Sequence, residues 1–439
     1  MANVKVDFNK TVGRIKHINA VNNGPIKKGR SQHLDNFEAY KELNIPFARN
    51  HDASLCYEYG LHHSVDVNKI FRDFDADPES PENYDFFLTD QYIATTLEAG
   101  TETYYRLGES IEHWDKKYDT LPPKDFKKWA VICEHIIAHY NEGWANGFHY
   151  NIKYWEIWNE PETEEGQDPI TKNTWGGTTE QFFEFFATAA KHLKNRFPDI
   201  KIGGPALCWL HEWGASFCKY MKAHDVPLDF YSWHIYTDKV WKLRADAENV
   251  RRYLDEAGYK NTESHCNEWN YVKSWWGGFA DTLVDIADIK GAAFIAAMMI
   301  EAQHCPIDMM MYYDFRVHCV FNGAFDCVTL RPGKPYYTFL AISKLIATGD
   351  ECESVSDDGD VYSLTASGNG KTGVLVYYTH EDDPKDKEIT LTLNGCSDNV
   401  SFTLLTADKA FERVEDIKVE SGKATFTLPP QSLVYYCEE

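Results

Sequence analysis

The chain has 439 residues, 43% hydrophobic and 26% charged, with a formal net charge of −24 at pH 7. A polypeptide of that length and balance buries a large core without disulfides or metals, which excludes a disordered or fibrous protein. The acidic surplus speaks against nucleic acid, whose phosphates take Lys and Arg contacts, and against an anionic membrane surface.

In chain order, residues 1–7 hold no apolar signal segment, and residues 4–8 read as a strand. β-Rich segments then recur at 15–21, 45–51, 101–107, 154–159, 200–205, 230–236, 263–269 and 309–315. Between them lie amphipathic stretches at 124–146, 179–196, 212–224, 245–257 and 285–303. In the second of these, Phe182, Phe183, Phe185, Phe186, Ala189, Ala190 and Leu193 recur at helical spacing. Strand–helix alternation repeated eight times predicts an α/β fold, a (β/α)8 TIM barrel over residues 10–345. A doubly wound sheet is the alternative, and no Gly-rich phosphate loop supports it. The longest apolar run, near 291–300, is too short to span a bilayer. Eleven Cys at irregular positions, with no CxxC pair, predict free thiols in a reducing cytoplasm and no zinc site.

Beyond Lys344 the pattern changes to short alternating runs at 361–364, 372–378, 388–393, 401–405, 425–428 and 433–436, separated by Asp357-Asp-Gly, Ser367-Gly-Asn-Gly and Ser421-Gly. These predict a C-terminal β-sandwich accessory domain over residues 346–439, joined by the N-terminal strand within residues 1–9.

Catalytic groups of a (β/α)8 barrel stand at the C-terminal ends of its strands. The fourth strand ends in Trp155-Glu-Ile-Trp-Asn-Glu-Pro161 and the seventh in His265-Cys-Asn-Glu-Trp-Asn270. Glu160 and Glu268 are therefore expected to face each other across the barrel mouth. Pro161 is expected to hold Glu160 extended. Glycoside hydrolysis needs such a pair: one carboxyl protonates the leaving oxygen, the other attacks or activates water. The 13 Trp, 26 Tyr and 25 Phe fill cores first, but also wall pockets for ligands with an apolar face and a polar edge, as sugars have.

Trp158-Asn159-Glu160-Pro161 and Asn267-Glu268-Trp269-Asn270 resemble the acid/base and nucleophile motifs of the (β/α)8-barrel clan A of retaining glycoside hydrolases. Within that clan the chain is most similar to glycoside hydrolase family 39, typified by β-xylosidases and α-L-iduronidase. Val21-Asn-Asn-Gly-Pro25, Arg49 with His51, Leu107-Gly108 and Phe230-Tyr-Ser-Trp-His-Ile-Tyr236 add to the resemblance. It covers about residues 10–345, and the family also carries a trailing β-sandwich.

The resemblance implies that Glu160 is the general acid/base and Glu268 the nucleophile, with Glu268 raising the pKa of Glu160 by like-charge repulsion. It implies that Asn159 meets the sugar 2-hydroxyl, and that Arg49 and Tyr236 hold the nucleophile ionised. His234 supports that network or touches the sugar; His51, Trp269 and Tyr313 are further substrate-binding candidates. Asn22 and Asn23 close the rim or touch the ligand. The clan's Trp at the end of the eighth strand is replaced by Tyr312-Tyr-Asp-Phe315, which leaves the platform under the sugar open. Asp314 and Arg316 read as an ion pair. Trp175, Trp209, Trp213, Trp275 and Trp276 follow strands and serve packing or subsites. Leu61-His62-His63 lacks a third metal ligand. The expected activity is that of a cytoplasmic, β-xylosidase-like exo-glycosidase on a short oligosaccharide, with no cofactor or metal and oligomeric state left open. The rivals are another sugar under the same mechanism, a non-catalytic carbohydrate-binding protein, and a metal-dependent hydrolase.

Overall fold

The computed structural model describes residues 1–29, 34–53, 63–113, 115–162, 174–208 and 212–439. Trp209 and His62 lie outside these. Eight parallel strands close a barrel in sequence order: β2 (His17–Asn22), β3 (Phe47–Arg49), β4 (Glu102–Leu107), β5 (Tyr154–Ile157), β6 (Lys201–Leu207), β7 (Phe230–Thr237), β8 (Glu263–Tyr271) and β9 (Met309–Tyr312). β9 returns to β2, pairing Val21 with Tyr312. The eight strands lie where the sequence puts them, with ends shifted by a few residues.

The helices follow from local sequence. Thr178 caps helix Thr179–Arg196, and Gln181 returns the favour to the Thr178 amide. Its Phe182, Phe183 and Phe186 then bury against the barrel and the Trp213–Phe217 stretch. The segment expected as one helix at 285–303 is two, Phe279–Ala287 and Ile289–Gln303. Asp288 breaks it: extended at φ −107° and ψ −172°, it caps the second helix through its carboxylate on the Ile289 amide. The helix expected at 124–146 ends at Asn141, before Gly143, which turns left-handed at φ 78°. No helix among the described residues is long and apolar enough to cross a membrane.

The remaining strands are β1 (Ala2–Gly13), β10 (Gly349–Ser356), β11 (Val361–Gly368), β12 (Gly370–Tyr377), β13 (Lys387–Asn394), β14 (Val400–Leu405), β15 (Ala410–Val414), β16 (Lys423–Leu428) and β17 (Ser432–Glu438). They form one nine-stranded sheet, ordered β15-β14-β17-β12-β11-β10-β1-β13-β16. The N-terminal strand joins it, antiparallel to β10 and parallel to β13. Alternation along β12 explains how the sheet has two apolar faces. Leu375 and Tyr377 enter the sheet's own core, whereas Val374 and Val376 pack with the barrel's helical layer. The sheet also reaches the loops of the barrel mouth. The Tyr378 hydroxyl donates to the Asp238 carbonyl at 2.5 Å, and Lys273 pairs with Asp382 at 2.7 Å.

Candidate active site

Period-two alternation fills the barrel in layers. Phe47, Tyr104, Tyr154, Phe230 and Met309 form an apolar floor. Two residues further along the same strands stand Arg49, Arg106, Glu156 and Ser232, all fully buried. A charged layer therefore lies directly over an apolar one. It persists because its members pair. Arg49 gives Nε to Glu156 Oε2 at 2.6 Å, Nη1 to Glu268 Oε1 at 2.6 Å and Nη2 to Asn159 Oδ1 at 2.7 Å. Asn22 Oδ1 accepts from the same Nη1 at 3.1 Å. Glu156 Oε1 accepts from Ser232 Oγ at 2.6 Å and from Asn267 Nδ2 at 2.5 Å. Arg106 pairs with Asp66 at 2.7 Å on the neighbouring side.

Glu268 reaches the interior through an irregularity. On β8 the register slips between Trp233↔Cys266 and His234↔Glu268, one residue being inserted opposite β7. Such a bulge re-aims side chains. Here the consecutive residues Asn267 and Glu268 both meet the interior network, one on Glu156 and the other on Arg49. Tyr236 donates its hydroxyl to Glu268 Oε2 at 2.8 Å. Burial, with the neighbouring Glu160, leaves the Glu268 carboxyl raised overall, although His234, Arg49 and the Tyr236 hydrogen bond pull against it. Both Glu268 oxygens accept from donors, a permanently charged guanidinium among them, so the pocket fits the ionised carboxylate. Burial keeps the Tyr236 phenol protonated and able to donate.

Glu160 stands opposite, on the loop after β5. The expected extended geometry is not what forms: its φ is 44°, in the left-handed region. Two backbone bonds hold it there against the preference imposed by Pro161. The Glu160 amide donates to the Ala206 carbonyl at 2.9 Å, and Thr174 Oγ1 donates to the Glu160 carbonyl. Its Oε1 lies 2.7 Å from His234 Nδ1. Burial pulls the His234 ring down, but Glu268 and the hydrogen bond to Glu160 leave it raised overall. Oxygens of Glu160 and Glu268 and a nitrogen of His234 all lie within 4.8 Å of one another. These residue types could ligate a cation. The Arg49 guanidinium 2.6 Å from Glu268 already supplies the positive charge and makes a second cation unfavourable.

Of the substrate-binding candidates, the structure gathers six around this pair. Asn159, Arg49, His234 and Tyr236 are described above. His51 has its Nε2 3.9 Å from Glu268 Oε1, and neither ring nitrogen has a hydrogen bond. Burial and the nearby Arg49 and Arg106 hold its pKa well down, so it is neutral. Tyr313 packs its ring 6.5 Å from His51 and 6.4 Å from Tyr236. Asn159 Nδ2 and His234 Nε2 are also buried without a protein partner, so donors and acceptors suited to hydroxyl groups surround the carboxylates.

Trp269 does not belong to the site. It follows Glu268 in a strand, so alternation turns it outward, against Tyr312 at 5.4 Å and Phe294 at 6.4 Å in the helical layer. Trp175 and Trp213 are likewise packing, the first against Trp158 and Phe185, the second against Phe183 and Phe217. Asn22 and Asn23 close the rim: Asn22 Nδ2 donates to the Asn267 carbonyl at 2.8 Å, and Asn23 Nδ2 bridges the His51 carbonyl and Asp314. Asp314 and Arg316 form the expected ion pair, at 3.4 Å. His63 sits 3.8 Å from Asp66. The sequence expectations did not include Glu156, Ser232 or Asp52, whose carboxylate accepts from the Tyr313 hydroxyl at 3.4 Å and lies 3.6 Å from His51 Nε2. The signal for the first two was present, since they share strand parity with the floor residues Tyr154 and Phe230.

A family model described as glycosyl hydrolases family 39 matches residues 2–410. The chain belongs to that family. Two curated relatives are similar to this family 39 chain. A β-xylosidase of Geobacillus stearothermophilus is 24% identical over 322 residues, which is 64% of this chain and 60% of that enzyme. A β-xylosidase of Caldicellulosiruptor saccharolyticus is 24% identical over 352 residues, 71% of this chain and 68% of that enzyme. The chain thus spans between three fifths and about two thirds of these relatives' lengths. Among solved structures, a glucosidase from Croceicoccus marinus superposes with a TM-score of 0.81 at 20% identity, covering 100% of this chain and 99% of that one. A monomeric β-xylosidase from Caulobacter crescentus gives 0.69 at 15% identity, covering 99% of each chain. Both share the fold of this family 39 chain.

Proposed function

We propose that the chain is a retaining exo-glycosidase acting by double displacement, with β-xylosides as its first candidate substrates. The observation that carries this is the approach of Glu160 and Glu268 oxygens to within 4.8 Å. Retaining enzymes hold their two carboxyls about 5–5.5 Å apart, whereas inverting ones need about 6.5–9.5 Å to admit a water between them. In the first step the Glu268 carboxylate attacks the anomeric carbon while Glu160 gives its proton to the leaving oxygen. The C–O bond breaks and a glycosyl ester forms on Glu268. In the second step Glu160, now ionised, takes a proton from the water that displaces the ester. The two charges within 4.8 Å disfavour joint ionisation, which suits one protonated and one ionised carboxyl at the start. Arg49 and Tyr236 favour the ionised role for Glu268. Asn159, held by Arg49, is aimed to meet the sugar 2-hydroxyl through its unpartnered amide. Every group in this scheme comes from one chain. We further place the reaction in the cytoplasm, where the ten described cysteines, all free, would stay reduced.

The names of the two curated relatives favour xylose; glucose, galactose, arabinose and uronic acids are the alternatives. Hydrolysis of aryl β-xyloside, β-glucoside, β-galactoside, β-glucuronide, α-L-arabinofuranoside and α-L-iduronide tests this. The expected result is turnover of one member, β-xyloside first, with the product keeping its anomeric configuration. A product of opposite configuration would overturn the double displacement. Sugar binding with no turnover of aryl glycosides or natural oligosaccharides would favour a carbohydrate-binding protein.

A further inference from the structure

We infer that Trp275 and Trp276, on the loop after β8, form the stacking platform for the second sugar of an oligosaccharide, on the leaving-group side of the scissile bond. This rests on the glycosidase reading above and adds to it the residues that hold the second sugar of a β-linked oligosaccharide.

Aromatic rings run without a break from the Tyr236 that holds the nucleophile to Trp275. Tyr236, whose hydroxyl holds Glu268, meets Trp275 edge-on at 5.4 Å. Phe321 lies 5.9 Å from Tyr313, 6.1 Å from Tyr236 and 6.1 Å from Trp275. Trp275 is stacked on Phe279 at 5.5 Å with 22° between planes, yet is 41% exposed. Trp276, next to it, is 87% exposed. A lone exposed apolar side chain needs no explanation, but Trp275, continuous with the ring wall and followed directly by the exposed Trp276, offers a surface that a ligand can cover. An indole is a large, flat, amphipathic surface suited to a ligand with an apolar face and polar edges. The C–H face of a pyranose is of that kind, and its hydroxyls would stay in water at the rim.

The loop is also held in place. Ser274 Oγ donates to the Trp276 carbonyl and accepts from the Trp276 amide at 3.2 Å. Gly277 turns left-handed at φ 65°, and Lys273 is tied to Asp382 beyond β12 at 2.7 Å. The segment after β12 thereby meets the start of this loop.

The test compares each methyl glycoside with the matching disaccharide, beginning with methyl β-xyloside and β-1,4-xylobiose, and with methyl β-glucoside and cellobiose. A methyl leaving group has no face to stack. For Trp276→Ala and Trp275→Ala the ratio of kcat/KM for disaccharide over methyl glycoside is expected to fall roughly tenfold each, mainly through KM, with Trp276→Phe restoring most of it. An unchanged ratio in both alanine variants, while wild type cleaves both substrates, overturns the platform and leaves the glycosidase reading standing. Equal losses on both substrates overturn it too, by assigning the loop a purely structural part. Wild type that cleaves no glycoside at all overturns the underlying reading and the platform with it.

Discussion

Glu268→Ala is expected to lose turnover by at least about 10⁴-fold, and azide is expected to restore a measurable rate with a product of inverted configuration. Removal of the carboxylate leaves room beneath the anomeric carbon, between Arg49 and the Tyr236 hydroxyl, whose donors would favour a small anion there. Azide attacking from that side of a β-glycoside gives the α-azide, and no ester forms. Glu160→Ala should behave differently. Its loss should be about 10²–10⁴-fold on substrates with poor leaving groups, because general acid assistance matters most there. On a dinitrophenyl glycoside, which leaves without a proton, the first step should survive and azide should give the β-azide from the glycosyl ester. Product configuration with each variant therefore assigns the two carboxyls independently. The opposite pairing of variants and products would reverse the assignment.

Arg49→Met is expected to cost about 3–5 kcal/mol of stability at neutral pH, the usual effect of removing one partner from a buried ion pair. Arg49 is fully buried between Glu156 and Glu268, themselves 0% and 5% exposed, and it gives hydrogen bonds to four residues. Without it two carboxylates stand buried in a barrel with no cation between them. Burial already pushes the Glu268 carboxyl up, and with Arg49 gone less opposes it, so protonation favours the folded variant. The deficit should be full only above the raised folded-state pKa and should shrink as pH falls from there through the ordinary carboxyl range. Denaturant unfolding at neutral and acid pH reads both parts; a constant difference would refute the charge argument. Arg49→Lys keeps the charge but not the planar fork, and should cost about 10²-fold in kcat/KM through misplacement of Glu268 and Asn159. Burial already pushes the Glu268 carboxyl up, and the fork is one of the groups opposing it. Weakening that opposition raises the pKa further, so the acid limb of the activity profile should move to higher pH.

The barrel and the meeting of Glu160 and Glu268 at its mouth were legible because both signals are local. Strand alternation sets the eight strands, and Asn-Glu at the ends of two of them marks the mouth. What escaped was set by tertiary context. The inserted residue on β8 that turns both Asn267 and Glu268 inward leaves no trace in residue types. The same alternation, applied one residue later, should have turned Trp269 outward, but its place in a catalytic motif outweighed its parity. Glu156 had the right parity and was passed over because a buried Glu is rare without a partner, and its partners come from β3, β7 and β8. Glu160 departs from the geometry that Pro161 favours because contacts with Ala206 and Thr174 outweigh a local preference. In the C-terminal sheet, β10 and β15 went unread. The burial of Ala410–Val414 does not alternate, and Gly349–Ser356 is mostly polar.

The central claim is that Glu268 forms a covalent bond to the sugar. A 2-deoxy-2-fluoro-β-xyloside bearing a dinitrophenyl leaving group tests it most directly, since the fluorine slows release of the glycosyl ester. Peptide mapping of the inactivated protein should find one fluoroxylosyl group on the peptide containing Glu268, in proportion to the activity lost. A label on any other residue would contradict the account, as would turnover of aryl β-xyloside with inversion and no labelled peptide.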